Sequence, residues 1–392
     1  MNFSFLYSQF LPGIFPYIYD IFLVIFASKI LLVRKNPRLP IFFIFYLVII
    51  FTIMIIGFYR FNEIGKYFIS DLRIFVVIFI ILNLPFHRYS LSAILKFFYI
   101  CLLLNLILII IGFVDNALYS SFIKFYHSGY IIESHSQSMG TNVSLSYVTS
   151  LQQRFTGFFL QPVSSGIFFS ILLFCIFYLW RINVLNVSNF LILSAMTLFC
   201  GYGSLSTVFQ MSILLLVFYY FPPKKYFVIY LAVVIVIFIA VLAFFNLEEL
   251  MMFIDIFFLS GRYGNDSNIA IMFASVDLTL VDYLFGFTKE SKGYSGKGLG
   301  DSGYVIKFVT GGVFYLITYY SLIFLIFRKI YITKLKYNDF LVSILTFLFM
   351  CEFGTNAFSL PQVSILIFFL IFTVHHIVIN HDIYRNNHIQ KK

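Results

Sequence analysis

AILKFFYICLLLNLILIIIGF, residues Ala93–Phe113, decides the fold class. Only Lys96 and Asn105 interrupt it with strongly polar side chains, and a helix of about 20 such residues spans the roughly 30 Å hydrocarbon core of a bilayer. In lipid, a helix closes its own backbone hydrogen bonds and turns its apolar side chains toward the solvent they prefer.

The pattern recurs at Ile14–Val33, Ile41–Gly57, Leu72–Phe86, Gly157–Trp180, Val187–Tyr202, Leu205–Phe221, Tyr226–Asn246, Ser302–Phe327, Phe340–Phe353 and Asn356–Ile379. Together these runs predict an all-α polytopic membrane protein, a single integral domain over residues 1–392 with about eleven transmembrane helices. Pro162 falls in the first turns of the fifth span, where a missing N–H costs least. Composition agrees: 61% of the 392 residues are hydrophobic and 11% charged, with 55 Phe and 28 Tyr. A soluble domain carries about 25% charged residues, so a water-soluble enzyme is excluded.

The net charge of +10 reads as the excess of Lys and Arg that marks cytoplasmic loops, not as a nucleic-acid surface. Placing the N-terminus outside puts Arg34-Lys35-Asn36-Pro37-Arg38, Lys224-Lys225 and the stretch from Arg328 to Lys336 in the cytoplasm. The C-terminus is then cytoplasmic too, and only Asp339 and Asp382 among the acids share that side. The N-terminus lacks a basic segment and a small-residue cleavage site, so the first span is expected to stay as a helix. The expected location is a membrane that the chain crosses many times.

Two large loops then face outward, residues 114–154 and 247–301. The second, about 55 residues, is too long for a simple connector. Within it Ile269, Met272, Phe273, Val276, Leu280 and Leu284 recur near helical period, with Asp266, Ser275, Thr279 and Asp282 between them. That spacing predicts a helix lying on the membrane surface.

No phosphate-cradling glycine loop, zinc-protease helix or nucleophile elbow occurs. Cys101, Cys175, Cys200 and Cys351 sit in or beside apolar runs without a paired spacing, and His375-His376 is a poor chelating pair. Neither a metal nor a cofactor is expected. The informative charges lie at the outer rim. Arg154 closes the first loop, Arg262 sits in the second, and Gln161, Ser164 and Ser165 enter the fifth span. A guanidinium fork grips a phosphate or carboxylate in two places and keeps its charge when partly desolvated; each Arg can also simply snorkel or pair with a loop acid. Asp301, ahead of Ser302-Gly303-Tyr304 and Lys307, is a general base or a helix cap. Glu352 is a base or the partner of a nearby cation. For Arg60 the expectation is a side chain snorkelling to the headgroups.

Three local patterns resemble bacterial O-antigen polymerases of the Wzy type, part of a superfamily that also holds the O-antigen ligases. Arg154-Phe155-Thr156-Gly157 running to Gln161-Pro162 is similar to an Arg-x-x-Gly stretch ending in an acid or amide before Pro. Gly201 to Thr207 looks like a Ser-rich hairpin. Arg262, the surface helix, Phe285-Gly286 and Asp301-Ser302-Gly303-Tyr304 resemble the second outer loop and its return to the membrane. The chain departs from the family in lacking an Arg beside Ser204–Thr207, in having Gln161 where others carry Glu, and in lacking a loop His beside Arg262, which favours polymerase over ligase.

The resemblance implies a glycosyltransferase acting outside the cytoplasmic membrane on oligosaccharide repeat units carried by undecaprenyl diphosphate. It implies membrane lipid and a chain-length regulator protein as further partners, and no nucleic acid. Arg154 and Arg262 would hold the diphosphate, with Gln161, Tyr304 and Lys307 as further diphosphate or sugar contacts, and Asp301 or Glu352 would take the proton. The rival is a lipid-linked oligosaccharide flippase, for which related halves and charges deep in the spans are expected.

Overall fold

The computed structural model describes residues 24–25, 27–32, 41–61, 76–77, 79–80, 83, 91–126, 154–159, 162–220, 277–287, 302–331, 339–355, 357–359, 367, 370–371, 373–375 and 377. Among them there is no strand. The helices are α1 Ile41–Phe61, α2 Leu91–Val114, α3 Asn116–Tyr126, α4 Pro162–Arg181, α5 Val187–Gly203, α6 Thr207–Tyr220, α7 Leu280–Phe285, α8 Gly303–Tyr331 and α9 Asp339–Gly354, followed by a 3-10 turn at Ala357–Ser359. Leu95–Val114 and Pro162–Arg181 are long and apolar enough to cross a bilayer, and Gly303–Leu325 matches them in length and composition although its backbone breaks inside. The chain is therefore all-α in its described parts, with helices suited to a membrane. Tyr226–Asn246, most of Leu72–Phe86 and most of both outer loops lie outside the described residues.

The chain divides into two compact units. The first comprises Met1–Leu39, Ser70–Ile213 and Ser359–Lys392, the second Pro40–Ile69 and Leu214–Phe358.

In the first unit α4 is the core, buried around almost its whole circumference from Pro162 to Leu179. Pro162 opens it, where no intrahelical donor is lost. α5 packs on α4 and α2 packs on α5, while Ile100, Leu103, Ile107 and Ile110 leave one side of α2 apolar and exposed, as a lipid-facing surface requires. Within the expected loop 114–154 the chain forms an additional helix, α3. Its cap is Asp115, whose carboxylate accepts the Leu118 amide at 2.9 Å, the usual role of Asp at a helix start. α3 buries Tyr119, Ser120 and Ile123 and exposes Leu118 and Phe122.

In the second unit α8 departs from expectation. In a straight helix residues 304 and 320 are about 24 Å apart at roughly 1.5 Å per residue. Here the Tyr304 and Tyr320 ring centroids are 4.8 Å apart, and Lys307 Nζ stands 4.5 Å from the Tyr319 ring. The backbone leaves helical geometry at Gly311 (φ −149°, ψ 17°) and Gly312 (φ 66°, ψ −166°). Residues 303–310 and 313–331 are thus two helices folded against each other, a re-entrant hairpin. The expected single span Ser302–Phe327 is corrected accordingly. Residues 313–331, about 28 Å long, suffice to cross the core, whereas 303–310 extends only about 12 Å. Gly312 permits the reversal through its positive φ, and a Cβ there would meet the Leu284 backbone at 2.3 Å. The Val309 carbonyl, which the reversal removes from the helical ladder, accepts the Phe287 amide at 2.8 Å. Non-helical backbone is tolerated at depth when protein groups satisfy it in this way.

The expected surface helix is corrected too. Its first part, residues 269–276, lies outside the described residues; residues 277–279 are not helical, and α7 begins at Leu280. Thr279 and Asp282 form a reciprocal capping box, in which the Thr279 hydroxyl accepts the Asp282 amide and the Asp282 carboxylate accepts the Thr279 amide. Leu280, assigned to the apolar face, is exposed, and Asp282, assigned to the polar face, is fully buried. The cause is Arg60 at the end of α1. Its guanidinium pairs with Asp282 at 2.5 Å and donates to the Gly286 carbonyl at 2.9 Å. Arg60 therefore clasps the outer segment to α1 instead of snorkelling to the headgroups.

Candidate functional site

Of the residues singled out in the sequence, Arg154 belongs to the first unit and Tyr304, Lys307 and Glu352 to the second. Gln161, Arg262 and Asp301 lie outside the described residues.

Arg154 begins a loop, residues 154–159, that three elements fix in place. The Phe155 amide donates to the Gly203 carbonyl at the end of α5, 2.8 Å. The Thr156 amide donates to the phenol oxygen of Tyr119 on α3, 2.9 Å. The Phe158 amide donates to the Asn105 side-chain oxygen on α2, 3.1 Å. Gly157 takes φ +62°, and a Cβ there would lie 2.2 Å from that same oxygen, so this position of the Arg-x-x-Gly stretch needs glycine on two counts. The Phe155 ring is wedged edge-on between Phe113 and Tyr119 at 4.8 and 5.1 Å.

The loop lays the Arg154 side chain over the α5–α6 turn. Its Nε and one terminal nitrogen reach the carbonyls of Ser204 and Leu205 at 3.4 and 3.3 Å. Both bonds are long and both acceptors are neutral. Among the described residues no carboxylate pairs with Arg154, and burial pushes its pKa below the usual guanidinium value. In the same unit, the Ser165 and Ser206 hydroxyls are buried without a hydrogen-bond partner. A partly desolvated cation with unused donors, rigidly placed and uncompensated by a neighbouring acid, is suited to an anionic ligand.

In the second unit Glu352 is fully buried near the end of α9. Its Oε2 accepts the Tyr320 hydroxyl at 2.5 Å and its Oε1 accepts the Phe358 amide at 2.7 Å. The first residue of the re-entrant helix packs directly on it, since a Cβ on Gly303 would stand 1.6 Å from Oε2. Ser302, which holds the cap position of α8, donates its hydroxyl to the Glu352 carbonyl at 3.2 Å, and the Tyr304 hydroxyl donates to the Phe349 carbonyl at 2.9 Å. Lys307, one turn further, is fully buried against Tyr319. Both Glu352 carboxylate oxygens thus accept hydrogen bonds from the protein, and Tyr304 and Lys307 lie within the helical hairpin.

Tyr119, Asn105 and Tyr320 escaped the sequence reading. Each has a partner that is distant in the chain. No protein-family model matches this chain, and searches of curated proteins and of solved structures find no match.

Proposed function

We propose that the chain is a membrane glycosyltransferase that polymerises undecaprenyl-diphosphate-linked oligosaccharide repeat units into O-antigen or capsule-type polysaccharide. The observation that carries this reading is Arg154, a guanidinium fixed by α2, α3 and the α5–α6 turn and left without a described acid partner. In the proposed reaction a hydroxyl oxygen of the incoming repeat unit attacks the anomeric carbon of the growing chain. The bond from that carbon to the lipid diphosphate breaks, and the diphosphate leaves with the electron pair. Arg154 offsets the charge that develops on the leaving group. With Glu352 engaged internally, Asp301 is the candidate to receive the hydroxyl proton. The family resemblance of Arg154–Pro162 and Gly201–Thr207 supports the same assignment.

A second reading, a lipid-linked oligosaccharide flippase, has one observation in its favour. A broken helix with Lys307 and Glu352 buried along it is the kind of element from which transporters build sites at membrane depth. Deleting the gene separates the two. Loss of a polymerase leaves single repeat units on the surface lipid, whereas loss of a flippase, or of an O-antigen ligase, leaves none. The surface-polysaccharide banding pattern of the deletion strain is therefore the test, and a pattern with no repeat unit at all rejects the polymerase.

A further inference from the structure

The polymerase chemistry leaves the buried centre of the second unit unused. Glu352 and Lys307 are both fully buried, and they surround the middle of the long arm of the hairpin. Tyr320, the hydroxyl donor to Glu352, lies about 12 Å along that arm from the Gly311–Gly312 reversal and about 16 Å from its far end at Tyr331. Burying a carboxylate and an ammonium at such depth costs several kcal/mol per ion before their partners are counted. Well-packed apolar residues hold helices together at least as well, so a purely structural clamp gives no reason for ionisable groups here. Intramembrane ionisable residues that face the protein interior commonly belong to ion or proton pathways.

The hydrogen bonds around Glu352 have a particular property. The Phe358 amide on Oε1 serves a carboxylate and a carboxylic acid equally. Oε2 meets a hydroxyl, Tyr320, which donates to the carboxylate and, on rotation, accepts from the acid. One added proton on Oε2 therefore leaves both oxygens of Glu352 hydrogen-bonded. What changes is the charge of the centre, by one. The N-terminus of the helix 303–310 lies against that same oxygen, and it attracts the carboxylate more strongly than the neutral acid.

We propose that Glu352 is a proton-binding site in the membrane interior. Tyr320 is its hydrogen-bond partner. Taking up the proton weakens the hold of Glu352 on the start of the re-entrant helix, and so on the end of the second outer loop at Ser302. Among the described residues, Tyr304 on the short arm, Tyr319 on the long arm and Cys351 on α9 also face this centre, and the 3-10 turn brings the Phe358 amide to it. Arg60 and Asp282 sit at the tip of the hairpin and pair with each other. The proposal stands apart from the polymerase reading and does not depend on Arg154.

The test is an infrared pH titration of the full-length protein in phosphatidylethanolamine–phosphatidylglycerol liposomes, which needs no substrate. The expected result is a protonated-carboxyl band that titrates between about pH 5 and 9, the range open to buried carboxylates. Glu352→Gln, nearly isosteric, abolishes the band, and Tyr320→Phe shifts its frequency by removing one hydrogen bond. Absence of a Glu352-dependent band across that range overturns the proposal. Because polymer length is not measured, a failed polymerase reading leaves this result intact, and the reverse holds too.

Discussion

Arg154 owes its position to residues that never approach an anion themselves. Tyr119 is fully buried, and its phenol oxygen receives the Thr156 amide; burial also raises its pKa, which keeps the hydroxyl protonated at any physiological pH. Tyr119→Phe keeps the ring against Phe155 but strands one buried amide, a cost of about 1–3 kcal/mol. The expected outcome is a lower melting temperature in detergent together with shorter surface polymer, while Tyr119→Phe added to Arg154→Lys shortens the polymer no further than Arg154→Lys alone. Gly157→Ala is expected to be worse, since positive φ and the Asn105 oxygen both oppose a methyl group there. At this scale the sequence was partly legible. Arg154 and Gly157 stood out as a local pattern, whereas Tyr119 and Asn105 looked like incidental polar residues because their partners are 37 and 53 positions away.

The re-entrant hairpin is the element on which the second unit turns. Its tip is held by Gly312 against Leu284 and by the Phe287 amide on Val309. Arg60 and Asp282 secure the segment that makes those contacts. Removing one member of a buried pair costs about 3–5 kcal/mol, because the other charge is left uncompensated. Asp282 is fully buried while Arg60 is partly exposed, so Arg60→Ala is expected to damage the protein more than Asp282→Asn, whose remaining guanidinium can still reach water. Hydrogen exchange of residues 279–287 and 303–312 measures the difference, and protection unchanged from wild type in both variants contradicts the clasp. Apolar composition concealed this element: Ser302–Phe327 is uniformly greasy, and hydropathy cannot distinguish a crossing helix from one that doubles back. The Gly311-Gly312 pair was the available signal. The surface helix misled for a related reason, as helical period fixes which residues share a face but not which face is buried once a distant Arg supplies a partner.

At the scale of the whole molecule, the bilayer as solvent is the inference that composition carries on its own. The described residues agree with it: helices with no strand, several of them long and apolar enough to cross. Helix bounds were legible wherever a run ended at charged or turn-forming residues, as α5 does with the Asn186 side chain capping Asn189 at 2.8 Å. Function is legible only through a few charges that the greasy background makes conspicuous, and Arg154 is the one whose surroundings favour an anionic ligand. The most direct measurement is the surface-polysaccharide ladder of the deletion strain complemented with Arg154→Lys, at a membrane level matched to wild type. The account predicts a ladder collapsed toward single repeat units, because an ammonium keeps the charge but loses the planar fork. A ladder of full wild-type length contradicts it.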